Sequence, residues 1–170
     1  MNDFRYPIGQ FAYPETVSTT ERATFIEQIE RFPTDLRATV EPLTDPQLDT
    51  PYRPGGWTIR RLVHHIGDSH ANALTRFKWT LTEDHPTIKT YDEKGWAELP
   101  DSTLPVNISL QEIDALHARW SHLNRQLPEA AWARLLFHPG AGRDVRLDQL
   151  LAQYAWHGRH HLAHIQRAKF

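Results

Sequence analysis

The sequence predicts an all-α fold: a four-helix bundle with one long crossover link and a small hairpin ahead of the last helix. Three observations predict it. Apolar residues recur at helical spacing in four separate stretches, Ser-x-x-Glu boxes open two of them, and every link but one is short. A chain of 170 residues suits one domain, residues 1–170, and buries roughly 70% of the surface its unfolded form exposes. With 39% hydrophobic and 24% charged residues and a mean hydropathy of -0.60, the composition is that of a globular protein. A formal charge of -2 offers nothing to nucleic acid or to an anionic membrane surface, and neither partner is expected. No apolar run approaches the roughly 18 residues of a spanning helix. The absence of cysteine excludes disulfides, thiolate ligands and a cysteine nucleophile. The opening MNDFRYPIGQ reads as neither a signal nor a transit peptide, so a cytoplasmic location is expected.

Residues 1–17 carry Pro7 and Pro14 and no period, which predicts an extended arm packed through Phe4, Tyr6, Phe11 and Tyr13 and free of chemistry. Ser18 and Glu21 form a capping box, and Phe25, Ile26, Ile29 and Phe32 follow on one stripe. Pro33 should kink or briefly break this first helix before Leu36, Val40 and Leu43 continue it. After the turn-rich DTPYRPGG loop, Trp57 to Leu81 is the strongest periodic segment, with Leu62, Val63, Ile66, Ala73, Leu74 and Phe77 within about 60° of one face. Residues 82–108 hold no sustained period, and a connection of that length crosses over something. Its Tyr91 and Trp96 are expected to serve packing. Ser109 and Glu112 suggest a second capping box for a helix carrying Leu110, Ile113, Leu116, Trp120 and Leu123, ended by Pro128. Residues 134–147 read as a hairpin around His138-Pro-Gly-Ala-Gly142, and the last helix runs from Leu147 almost to the C-terminus.

Eleven histidines are the unusual feature, and four lie in WHGRHHLAHI on the last helix. Imidazoles four residues apart can converge on one metal at the roughly 2.0–2.1 Å bond of zinc. Two such pairs exist. His157 and His161 lie within about 60–80° of the apolar direction set by Leu147, Leu150, Tyr154 and Ile165, whereas His160 and His164 fall towards the rim or solvent. The inward pair is therefore the candidate, although a histidine on a half-buried helix is more often satisfied by a carbonyl or carboxylate. A third ligand has to come from another helix, and the second offers His64, His65 and His70. The direction of its apolar face favours His70, with His65 about 120° and His64 about 140° from the face centre. His70 reads equally well as a core histidine satisfied across the bundle.

The last helix lacks the glutamate of HExxH, and there is no Gly-x-Ser-x-Gly elbow, phosphate loop or dinucleotide fingerprint. A metal would have to supply the reactivity, since three neutral imidazoles leave a divalent cation its full charge to activate water or a substrate thiol.

The segments PYRPGGWTIRRLVHHIGDSHANALTRFK, YDEKGWAEL, LHARW, FHP and YAWHGRHHLAHI together resemble the YfiT-like branch of the DinB superfamily over most of the chain. The resemblance implies a metal-dependent bundle of up-down-down-up topology, with residues 82–108 as its crossover. It also implies three metal ligands, the second histidine of HHxxD and both of WHxxxH, which here are His65, His157 and His161. Asp68, one turn on, is then either an acceptor that orients an imidazole or a solvated charge. The implied activity is metal-dependent hydrolysis of a small-molecule substrate. The alternative is a bacillithiol-type S-transferase acting through a low-molecular-weight thiol, and the second alternative is a non-catalytic, metal-stabilised bundle. Zinc is the expected metal, with nickel and manganese also served by imidazole. Relatives suggest a homodimer.

Overall fold

The computed structural model describes residues 4–169. Helix α1 spans Thr19–Val40, opened by the expected capping box: Ser18 Oγ accepts from the Glu21 N–H and the Glu21 carboxylate accepts from the Ser18 N–H. The helix runs through Pro33 without the brief break that the sequence allowed. A proline lacks the N–H that would reach the carbonyl four residues back. Here that carbonyl, of Ile29, accepts instead from His117 Nδ1 at 2.6 Å, so the missing bond is replaced from outside the helix. Phe32, Leu36 and Val40 stay buried on the same face.

A short helix, α2 (Asp45–Leu48), leads to α3 (Ile59–Thr82), which Thr58 caps through the Arg61 N–H. The crossover carries a short helix α4 (Glu93–Ala97) and a 3-10 turn at Pro100–Thr103 before α5 (Asn107–Gln126). Helix α5 starts two residues before the expected cap. Ser109 lies inside it, buried, with its hydroxyl on His64 Nδ1 at 2.7 Å, so the expected capping box is not formed. Strands β1 (Leu135–His138) and β2 (Arg143–Arg146) form the expected antiparallel hairpin, with Leu136 opposite Val145 and Gly142 at φ 63 in its turn. Helix α6 spans Leu147–Gln166.

Cross-bundle contacts fix the direction of each long helix. Glu30 pairs with Arg125 and Arg37 with Asp114, so α1 and α5 are antiparallel. His64 meets Ser109, His70 meets His117 and Phe77 meets Trp120, so α3 and α5 are parallel. His65 meets His161, His70 meets His157 and Arg76 meets Tyr154, so α3 and α6 are antiparallel. The order is up-down-down-up. Parallel α3 and α5 cannot be joined by a short loop, and the crossover carries the chain back to the end of the bundle at which α3 begins. It is pinned to the hairpin where Ile88 N–H donates to the Phe137 carbonyl at 3.1 Å and Phe137 N–H to that of Pro86 at 2.9 Å.

Two apolar clusters fill the interior. One contains Phe77, Trp120, Leu136 and Leu150, the other Leu36, Leu62, Ile66, Ile113 and Ile165. On α3, α5 and α6 alike, histidines fall between residues of the two clusters, so a polar layer of imidazoles divides the core.

Candidate metal centre

Helix α3 packs against two neighbours, and its adjacent histidines serve one each. His64 faces α5 and the end of the crossover: its Nδ1 accepts from Ser109 on α5, and its Nε2 donates to the Leu104 carbonyl of the crossover at 2.9 Å. Successive helical residues differ by about 100°, which turns His65 towards α6 instead. Its ring centroid lies 5.5 Å from that of His157 and 5.1 Å from that of His161. A nitrogen from each of His65, His157 and His161 lies within 4.8 Å of the other two, and no carboxylate belongs to the group.

The sequence-predicted trio is thus brought together, while His70 stands apart from it. His70 is 0% exposed and bonded on both sides, Nδ1 to His117 Nε2 at 2.7 Å and Nε2 to His157 Nδ1 at 3.0 Å. It is the core histidine satisfied across the bundle. The apolar face misplaced His65 because α3 buries two sides, and averaging them points between the two.

Within the trio, His157 Nε2 and His161 Nε2 are 3.2 Å apart. Two nitrogens bound at roughly 2.0–2.1 Å to one tetrahedral ion stand about 3.3–3.4 Å apart, so the spacing of this pair suits a shared cation. Burial pushes the His65 imidazole down to about 4 and holds those of His157 and His161 well below their ordinary range. All three are neutral at pH 7 and offer lone pairs.

The trio opens on a cavity of about 710 Å³. Tyr52 and Trp57 reach it from the PYRPGGW turn, which is closed by Gly56 N–H on the Arg53 carbonyl at 2.9 Å and by Gly55 at φ 69. Trp57 lies 5.0 Å from the His65 ring. Arg53 and Lys94 add positive charge to the lining, and Glu98, also in it, is bonded to Arg61 at 2.8 Å.

The structure refines three expectations. Of bordering the site and facing solvent, His160 takes the first, since it lines the cavity, and both His160 and His164 are buried because the N-terminal arm and the Tyr52 loop cover them. Trp156 stacks on His160 at 4.3 Å, Tyr52 lies 4.4 Å from His164, and His164 Nε2 donates to the Phe4 carbonyl at 3.1 Å. With His161 they make a second group of nitrogens within 4.8 Å of one another, all from α6. The arm, expected to carry no chemistry, lines the cavity with Arg5 and Tyr6. Asp68 is half-buried, and burial, then Asp101 and Glu112, push its carboxyl up to about 6. Among the described residues it bonds no imidazole, so it does not orient His65. Tyr91 and Trp96 pack on one another at 4.6 Å and line a separate cavity.

His117 was not picked out by sequence reasoning. The signal was present, since it lies four residues after Ile113 and three before Trp120, on the apolar stripe of α5.

An up-down-down-up bundle that gathers three neutral imidazoles from two helices beside a cavity defines a class of histidine-centred helical proteins suited to a metal. The chain belongs to the DinB superfamily, whose profile matches residues 28–165. It is 50% identical over 165 residues to a Bacillus cereus protein provisionally named a metal-dependent hydrolase, covering 97% of this chain and 95% of that one. A Bacillus anthracis protein of the same provisional name matches at the same identity and coverage. Among solved structures it is similar to YfiT from Bacillus subtilis, described as a probable metal-dependent hydrolase with an unusual four-helix bundle topology. The TM-score is 0.94 at 44% identity, over 98% of this chain and 95% of YfiT. Among the described residues no helix is long and apolar enough to cross a membrane.

Proposed function

We propose that this chain is a single-domain, metal-dependent hydrolase in which His65, His157 and His161 hold one divalent cation, zinc first among the candidates. The observation that carries the reading is the meeting of three neutral imidazoles beside an open cavity, with His157 and His161 nitrogens at 3.2 Å. A cation held there supplies Lewis acidity, which lowers the pKa of a water and polarises the group to be cleaved. The protein's own side chains do the rest. Tyr52, Trp57 and Trp156 offer apolar faces to a small substrate, and Arg5, Arg53 and Lys94, set against Glu93 and the Arg61-bound Glu98, favour one that carries negative charge.

The test is elemental analysis of the full chain purified without an affinity tag, alongside His65→Ala, His157→Ala and His161→Ala. About one equivalent of a first-row metal is expected in the parent protein, and a loss of at least tenfold in each variant with helical content retained. Metal retained by all three variants overturns the site. Activity of the metal-loaded protein towards small esters and amides supports hydrolysis. Conjugation of a low-molecular-weight thiol to an electrophile, with no hydrolysis, overturns it in favour of transfer.

A further inference from the structure

Among the buried histidines outside the three-histidine group, two lie deepest in the core and are not used by the proposed reaction. His117 is 1% and His70 0% exposed, and both lie in one series with His157, whose far nitrogen Nε2 also has the Ser69 hydroxyl at 3.5 Å. The series ends on the Ile29 carbonyl, which Pro33 leaves without its helical donor.

That end sets the direction of every proton. A carbonyl oxygen can only accept, so His117 Nδ1 carries hydrogen and its Nε2 is a lone pair. His70 Nδ1 must then donate to His117 Nε2 across 2.7 Å, leaving His70 Nε2 as a lone pair. That lone pair requires the hydrogen of His157 on Nδ1, across 3.0 Å. The remaining nitrogen of His157, Nε2, is the atom 3.2 Å from His161 Nε2, and it is left unprotonated. Burial also keeps His70 and His117 neutral. Phe32 packs at 5.3 Å from the His70 ring and 5.4 Å from that of His117, which limits their freedom to turn over.

We infer that His117 and His70 are positioning residues: a one-way relay from the Ile29 carbonyl that fixes the tautomer and ring angle of His157 and presents its Nε2 lone pair to the cation. The inference rests on the metal-centre reading above. It assigns a role to Pro33 as well, since a donor at that position would compete for the carbonyl that anchors the relay. Partners of this kind, acting through the second nitrogen of a ligand, typically carry about 10–100-fold in metal affinity.

The test is 15N-resolved NMR of the histidine rings in the full-length, metal-free chain. Hydrogen on Nδ1 of His117, His70 and His157, and none on Nε2 of any of them, is the expected pattern. Hydrogen on His157 Nε2 as the main form overturns the relay. The His117→Leu variant removes the acceptor for His70, and His157 should then show both tautomers while zinc affinity drops about 10–100-fold. A variant that binds zinc as tightly as the parent, with His157 unchanged, also overturns it. If His117→Leu does not fold, the spectrum of the unaltered chain decides. A chain with the expected tautomers that binds no zinc counts against the metal centre and for the relay, so the two readings are separable.

Discussion

His117 and His65 show how individual side chains tie the stability of this protein to pH. Burial lowers each imidazole to about 4 from an ordinary value of 6.5. Between those values the unfolded chain binds protons that the folded chain refuses, so stability rises with pH across this window. The contribution is complete above pH 6.5 and is lost as the pH falls towards 4. At 1.36 kcal/mol per pH unit, His117 alone contributes on the order of 3 kcal/mol. Urea denaturation of the metal-free protein should therefore show a midpoint that falls steadily from about pH 7 to about pH 4.5. His117→Leu should flatten part of that slope, because it removes a group that must be protonated only after unfolding. A midpoint independent of pH over this range would mean that these rings accept protons in place, contrary to their burial.

At the scale of elements, Gly158 in the middle of α6 marks where two helices approach closely. A Cβ built there would sit 2.9 Å from Phe32 Cδ2 and 3.1 Å from Cε2, and Phe32 is a buried ring on α1 with His70 and His117 packed against it. Replacing glycine by alanine inside a helix normally stabilises by about 1 kcal/mol. Here the overpacking cost of roughly 1–3 kcal/mol wins, since a rigid aromatic ring packed against His70 and His117 must shift as a whole to make room. Gly158→Ala should lower the denaturation midpoint, and a rise would show that α1 can move away from α6 without loss. The same elements show what was legible beforehand. The stripes and the Ser18 box gave the long helices to within a few residues, because each signal is local. The Ser109 box misled for a local reason too: Ser and Glu three apart also suit a helix interior when the hydroxyl has a buried partner, as it has in His64. His157 and His161 could be read from one helix face. His65 could not, and came from the family resemblance, because its direction depends on α3 lying between α5 and α6. The roles of His70 and His117 needed the parallel pairing of α3 with α5, which no single segment encodes.

For the whole molecule, the up-down-down-up order leaves the candidate centre lining a cavity that the bundle alone does not close. The N-terminal arm closes part of it. Tyr6 lies 6.2 Å from the His160 ring, Phe11 5.7 Å from Trp156, and Tyr13 donates to Gln153 Oε1 at 2.7 Å. His70 and His117, by contrast, are enclosed by the four long helices themselves. A chain lacking residues 1–13 should keep its helical content, since the capping box of α1 begins at Ser18 and both apolar clusters have their buried residues further along the chain. The two sets of histidines should then separate by reactivity. Diethyl pyrocarbonate attacks accessible neutral imidazoles, so in the full chain the exposed His85 and His122 should react first. In the shortened chain His160 and His164 should join them, read by mass spectrometry of peptides from the metal-free protein, while His70 and His117 stay protected. Equal protection of His160 with and without the arm would mean that α6 and the Tyr52 loop cover it unaided. Early modification of His70 in either chain would mean that the histidine layer is not sealed by the bundle. The first outcome would confine the arm to packing, and the second would remove the enclosed geometry on which the neutral imidazoles depend.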